Sequence, residues 1–108
     1  MCSSDLGLDR DTDALGRANE TLAAWRDRVE LIHADYRTLD DVLDGRAITS
    51  VDGILADLGV SSMQLDGLGR GFSFRRDEPL DMRMDRTDGP TAADLLASAT
   101  EKIGRAHV

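Results

Sequence analysis

The sequence predicts an α/β fold built on a parallel sheet, and three observations predict it. Short apolar, β-branched runs recur at 29–33 and 51–57, an amphipathic stretch precedes the first of them, and carboxylates stand where such strands would end. A strand–helix–strand–helix–strand order at these intervals is the signature of βαβ units. In such sheets ligands lie beyond the carboxyl ends of the strands, so residues just after each run are the first candidates for function.

Gly7-Leu8-Asp9 reads as the end of a strand. Asp11-Thr12-Asp13 supplies N-cap candidates and negative charge for a helix start. Ala14, Leu15, Ala18, Leu22 and Trp25 then recur at three- and four-residue spacing, predicting one apolar helical face through about residue 26. Gly16 weakens that helix slightly. Val29-Glu30-Leu31-Ile32-His33 predicts a strand, 39–43 a short helix, and Val51-Asp52-Gly53-Ile54-Leu55-Ala56-Asp57 a further strand with a carboxylate at its end. From 59 to 89 the texture changes to a long Gly- and Arg-rich loop anchored by Phe72, Phe74, Leu80, Met82 and Met84. Its five arginines, Arg70, Arg75, Arg76, Arg83 and Arg86, are matched by Asp77, Glu78, Asp81, Asp85 and Asp88, which is the pattern of a mutually neutralising ion-pair network. Thr91, with Asp94 in the first turn, caps a helix expected over 91–99.

Composition narrows the functional classes. The chain has 108 residues, 41% hydrophobic and 31% charged, which allows one domain at most. No apolar run approaches membrane-spanning length. The formal charge of −8 argues against a whole-surface grip on a polyanion, so any RNA partner needs a local patch or further chain. The single cysteine, Cys2, cannot form an internal disulfide, which suits a cytoplasmic setting. No His and Cys grouping supports a metal site.

Three strand ends carry the chemistry. Asp9 is suited to accept hydrogen bonds from both ribose hydroxyls of an adenosine, and equally to hold a turn. Tyr36 can pack its ring against an adenine or serve as a half-buried strand-end tyrosine. Asp57-Leu58-Gly59-Val60-Ser61-Ser62 sets a carboxylate before a glycine and two hydroxyls. Methylating an exocyclic amine needs an acceptor that aims the nitrogen lone pair at the methyl group, and Asp57 can serve there or hold an amine of the donor. The alternative is a turn whose serines bond local backbone.

Together, Gly7-Leu8-Asp9-Arg10-Asp11, the run from Val51 through Asp57-Leu58-Gly59-Val60-Ser61-Ser62-Met63-Gln64-Leu65, and Arg70-Gly71-Phe72-Ser73-Phe74-Arg75-Arg76-Asp77-Glu78-Pro79-Leu80-Asp81-Met82-Arg83-Met84-Asp85 resemble the bacterial ribosomal RNA small subunit methyltransferase H family. The resemblance covers residues 7–101. It implies the second to fourth strands of a Rossmann-like class I methyltransferase sheet, then a long loop and the start of a helical insertion. It further implies S-adenosyl-L-methionine as methyl donor and N4 of a cytidine in small-subunit ribosomal RNA, or in the assembled small ribosomal subunit, as acceptor. By resemblance Asp9 binds the donor's ribose, Tyr36 lines the adenine pocket, and Asp57 and Gln64 complete the cofactor site, with Asp57 also the candidate catalytic acceptor. No metal and no membrane are implied, and the oligomeric state is not. Tyr36 stands where relatives often have Phe, and Met63 where they have Pro, which loosens the turn before Gln64.

Two competing readings are a dehydrogenase-like nucleotide domain with Asp9 on an NAD ribose, and a non-enzymatic module docking RNA or protein through the arginine-rich loop. The ends carry a separate expectation. Residues 1–6 can be encoded by GTGTGCTCTTCCGATCT, whose reverse complement reads Ile-Gly-Arg-Ala-His in one frame, and the chain ends Ile103-Gly104-Arg105-Ala106-His107-Val108. Segments 1–6 and 102–108 are therefore expected to be translated sequencing adapter, leaving 7–90 as a partial methyltransferase domain and 91–101 as the start of the insertion. A glycine-rich loop is then expected upstream of Gly7. Without the sheet's first strand, which lies between the second and fourth, the 108-residue chain is expected to be at best partly folded and inactive.

Overall fold

The computed structural model describes residues 4–99. Cys2, residues 100–101 and the adapter-like tail 102–108 lie outside the described residues. Contacts divide the chain into two compact units, residues 1–58 and 59–108.

The first unit is a parallel strand pair with its crossover helix. Strand β1 (Asp5–Asp9) lies beside β2 (Val29–His33), parallel and in register from Asp5 opposite Val29 to Asp9 opposite His33. The ladder thus takes in Asp5 and Leu6. Parallel neighbours cannot be joined by a tight turn. The intervening residues supply α1 (Thr12–Thr21), then one 3₁₀ turn (Ala23–Trp25). Asp11 caps α1 by accepting the Asp13 N–H at 2.9 Å. The face expected from spacing is the face that packs: Ala14, Leu15, Ala18 and Leu22 are half-buried, while Trp25 is exposed. At Gly7 the strands pack closely: a Cβ there would meet Leu31 Cδ2 at 3.0 Å, so that side chain would have to shift. After β2, a 3₁₀ turn (Tyr36–Thr38) leads into α2 (Leu39–Gly45), and Arg46 folds back onto Glu30 with Nη2–Oε1 at 2.5 Å.

The strand expected at 51–57 does not form among the described residues. A strand is completed by a neighbour's ladder, and the described sheet holds β1 and β2 alone. Val51, Ile54, Leu55 and Leu58 are instead exposed, Leu55 at 96%.

The second unit carries two short helices, α3 (Ser62–Asp66), which lies inside the predicted loop, and α4 (Ala92–Ser98), where Thr91 and Asp94 form the expected capping box. Side-chain-to-backbone hydrogen bonds hold the segment between them. Arg70, 3% exposed, donates through Nη2 to the carbonyls of Arg83 and Met84 at 3.0 and 3.1 Å. Arg76 Nη2 donates to Leu65 O and Gly67 O, both at 3.0 Å, satisfying carbonyls at the end of α3. The arginine–carboxylate network of the sequence reading is present in part, as Arg83–Asp81 at 2.8 Å and Arg76–Glu78 at 3.6 Å. Gly71 has φ +76°, and a Cβ there would meet Pro79 O at 2.5 Å and Asp81 N at 2.6 Å. The chain doubles back so closely that only glycine fits.

Among the described residues no hydrophobic side chain is fully buried; the buried residues are Asp11, Gln64 and Arg70. None of the described helices is long and apolar enough to cross a membrane.

Candidate functional site

Parallel pairing puts the carboxyl ends of β1 and β2 side by side, and this edge carries Asp9 and the turn beginning at Tyr36. Asp9, half-buried, accepts the Asp11 N–H through Oδ1 at 2.8 Å, and its carbonyl accepts the Ala34 N–H at 3.1 Å. Its carboxylate is thereby fixed at the strand tip. His33, opposite Asp9, has Nε2 at 2.9 Å from the Arg10 carbonyl, an oxygen that can only accept, so the imidazole N–H donates.

Asp35 organises the adjoining turn. Its Oδ1 accepts the Arg37 N–H at 2.9 Å, which caps the 3₁₀ turn, and its carbonyl accepts both the N–H and the hydroxyl of Thr38. Its Oδ2 accepts Arg37 Nε and Nη2 at 2.9 and 2.7 Å and pairs with Arg10 Nη1 at 3.6 Å. The Arg37 side chain, then its backbone N–H, hold the Asp35 carboxyl below its ordinary pKa, with Arg10 adding to the effect. Tyr36, the first residue of this turn, is 63% exposed, so its ring stands open at the sheet edge. The sequence places Asp35, like Tyr36, just after the second strand, but gives no role to Arg10 and no link between the two. The signal available was a charged pair placed one residue to either side of Asp9 and Tyr36.

Asp57 follows the unpaired segment and is exposed. Its placement at a strand end, expected from sequence, is therefore not realised among the described residues. Gln64 belongs to the second unit, where it is 4% exposed and builds a capping box: Gln64 N–H donates to Ser61 Oγ at 3.2 Å, and Gln64 Oε1 accepts the Ser61 N–H at 3.0 Å. The Ser61-x-x-Gln64 spacing was the readable sign of that box. Ser61 thus takes the local backbone role that the sequence left open. Asp9 and Tyr36 share the edge of one sheet; Asp57 lies in the same unit outside that sheet, and Gln64 belongs to the second unit.

Glu78 was read as one member of a charge network, yet its main partners are main-chain. Oε2 accepts Gly69 N–H at 2.7 Å and Oε1 accepts Gly71 N–H at 3.1 Å. Those two bonds, with Arg76 nearby, lower its pKa. Among the described residues no group of three or more His, Cys, Asp or Glu is arranged to hold a metal ion. A surface depression of about 290 Å³ is lined by Asn19, Leu22, Arg26, Val29, Glu30 and Leu31. It takes in the start of β2, the opposite end of the strands from Asp9 and Tyr36, so the chemistry at the strand tips is not built around it.

Known proteins with similar sequence give these residues a context. The chain is 60% identical over 91 residues to "Ribosomal RNA small subunit methyltransferase H" of Parafrankia sp. (strain EAN1pec), which covers 84% of this chain and 28% of that protein. A protein of the same name from Beutenbergia cavernae is 56% identical over 96 residues, 89% of this chain and 29% of its own length. Another, from Thermobifida fusca (strain YX), is 54% identical over 106 residues, 94% of this chain and 32% of its own. The chain thus spans under a third of the length of these relatives. Because a model of the family described as "MraW methylase family" matches residues 3–103, nearly the whole chain, the chain belongs to the MraW methylase family.

Proposed function

We propose that this chain is a segment of an S-adenosyl-L-methionine-dependent methyltransferase that methylates N4 of a cytidine in small-subunit ribosomal RNA, acting in the cytoplasm on the RNA or the assembled small subunit. The observation that carries this reading is the match of residues 3–103 to a methylase family, joined to relatives at 54–60% identity named for methylating that RNA. The parallel strand pair is then part of a Rossmann-like sheet, and the residues at its tips fit the donor. A half-buried carboxylate held by one backbone N–H retains acceptor capacity for ribose hydroxyls, and an exposed aromatic on the neighbouring turn offers a face to a base.

When bound, S-adenosyl-L-methionine supplies an electrophilic methyl on a sulfonium. Asp9 would accept from the ribose hydroxyls and Tyr36 would cover the adenine. By resemblance to the family, Gln64, whose Oε1 accepts the Ser61 N–H, would be a further cofactor contact. Asp57 would accept an N–H of the cytosine amine, directing the nitrogen lone pair toward the methyl group and taking up the proton that leaves. Positioning supplies most of the rate. Segment 51–57, bearing exposed Ile54 and Leu55, is completed as a strand by further chain of the parent, and the isolated 108 residues are inactive.

The test uses a full-length parent and small ribosomal subunits from cells lacking the enzyme. Methyl from labelled donor should appear on N4 of one cytidine by mass spectrometry of the digested RNA. Asp57→Ala should abolish transfer, and Asp9→Ala should weaken donor binding by about tenfold or more. NAD binding in place of S-adenosyl-L-methionine, or RNA binding without transfer, would defeat the reading.

A further inference from the structure

Asp9 ends β1 and Tyr36 opens the turn beyond β2, and something must set the distance between them. The bonds between β1 and β2 fix the strand tips but not the loops beyond. Besides the Ala34 N–H bond to the Asp9 carbonyl at the strand tips, Arg10 reaches across that gap twice. Its carbonyl accepts from His33, and its guanidinium pairs with Asp35. Asp35 is at once the cap of the turn that carries Tyr36 and the anion that Arg10 meets. One carboxylate therefore joins the residue after Asp9 to the residue before Tyr36.

We infer that Asp35 is a positioning residue for the methyl donor, working through Arg10 to hold the ribose-binding and adenine-binding loops at one separation; this rests on the function proposed above. Oδ1 orients the Tyr36 turn and Oδ2 receives the cation from the first loop, so the two tasks fall on different oxygens. Arg37 is the stronger partner of Oδ2, at 2.7 Å against 3.6 Å for Arg10. It fixes the carboxylate within its own turn, and Arg10 carries the link between loops. The Asp35 side chain is 16% exposed and that of Arg10 46%, so the link lies partly in solvent and its effect is bounded. Asp35 touches neither reacting atom, and its loss should alter binding of the donor and not the chemical step.

The test measures donor affinity by equilibrium binding, and turnover on small subunits at saturating donor, in the full-length parent. Asp35→Ala should raise the Kd for S-adenosyl-L-methionine about tenfold with turnover at saturation unchanged. Arg10→Ala should raise it about threefold. Asp35→Asn keeps an oxygen for the Arg37 N–H but loses the charge, and should fall between them. The double variant Arg10→Ala/Asp35→Ala should be no weaker than Asp35→Ala alone, because the pair acts as a unit. A Kd within twofold of wild type for Asp35→Ala overturns the inference, as does a loss of turnover at saturation with Kd unchanged. If Asp35→Ala does not fold, Asp35→Asn and Arg10→Ala decide by the same criterion. A wild-type parent that fails to bind S-adenosyl-L-methionine overturns the functional reading itself, whereas normal wild-type binding with insensitive variants overturns this inference alone.

Discussion

The two units solve the same problem, holding backbone in place without a closed apolar core, by opposite means. In the first, backbone bonds to backbone: a parallel ladder and one amphipathic helix make regular elements, and side chains serve mainly at the ends. In the second, side chains bond to backbone: Arg70, Arg76 and Glu78 each reach across the sequence to carbonyls or N–H groups of irregular chain. Regular structure tolerates substitution because each bond has many like it. A segment pinned by single polar side chains depends on each one.

That contrast can be broken most sharply at two glycines, compared in the full-length parent by urea unfolding. Gly71→Ala should cost about 3 kcal/mol or more, since positive φ and backbone atoms at 2.5 and 2.6 Å both forbid a Cβ. Hydrogen exchange should quicken within 69–82 and stay unchanged in β1. Arg70→Met should come next, at about 2 kcal/mol, because the carbonyls of Arg83 and Met84 lose a buried charged donor while the volume is kept. Gly16→Ala, in α1 with open space around it, should raise stability by about 0.5 to 1 kcal/mol. An equal loss at both glycines would erase the distinction between the units.

The smallest effect expected is in acid. Arg83's side chain, with its backbone N–H and charge in support, lowers the Asp81 pKa from 3.8 to about 2. A depressed folded pKa means the contribution is complete above about 4 and disappears as pH falls toward 2. Asp81→Asn should flatten that part of the stability curve, measured by unfolding at successive pH values. A slope unchanged by the substitution would refute the assignment.

Legibility followed the same division. Spacing alone located α1, β2 and the cap of α4, because their determinants lie within a few residues of one another. It also predicted a strand at 51–57 that does not form here, since an apolar run states a capacity to pair and pairing needs a neighbour. Of the candidate site, the common edge for Asp9 and Tyr36 followed from the βαβ order. The Arg10–Asp35 link, the double hold of Glu78 on Gly69 and Gly71, and the burial of Arg70 were not legible, because each joins residues through folded backbone that no local pattern encodes. Gln64 lay between: its capping box was spelled in the spacing from Ser61, while its burial was not.

The parallel register has a consequence for how the protein comes into being on the ribosome. Asp5 can find its partner only after Val29 has left the exit tunnel, and by then Thr12–Thr21 has had time to coil. The β1–β2 ladder therefore closes late, and the helix between the strands must shorten the tether before the two can meet. Substitutions that weaken α1 should delay that meeting during synthesis even where they leave the finished protein almost as stable as before.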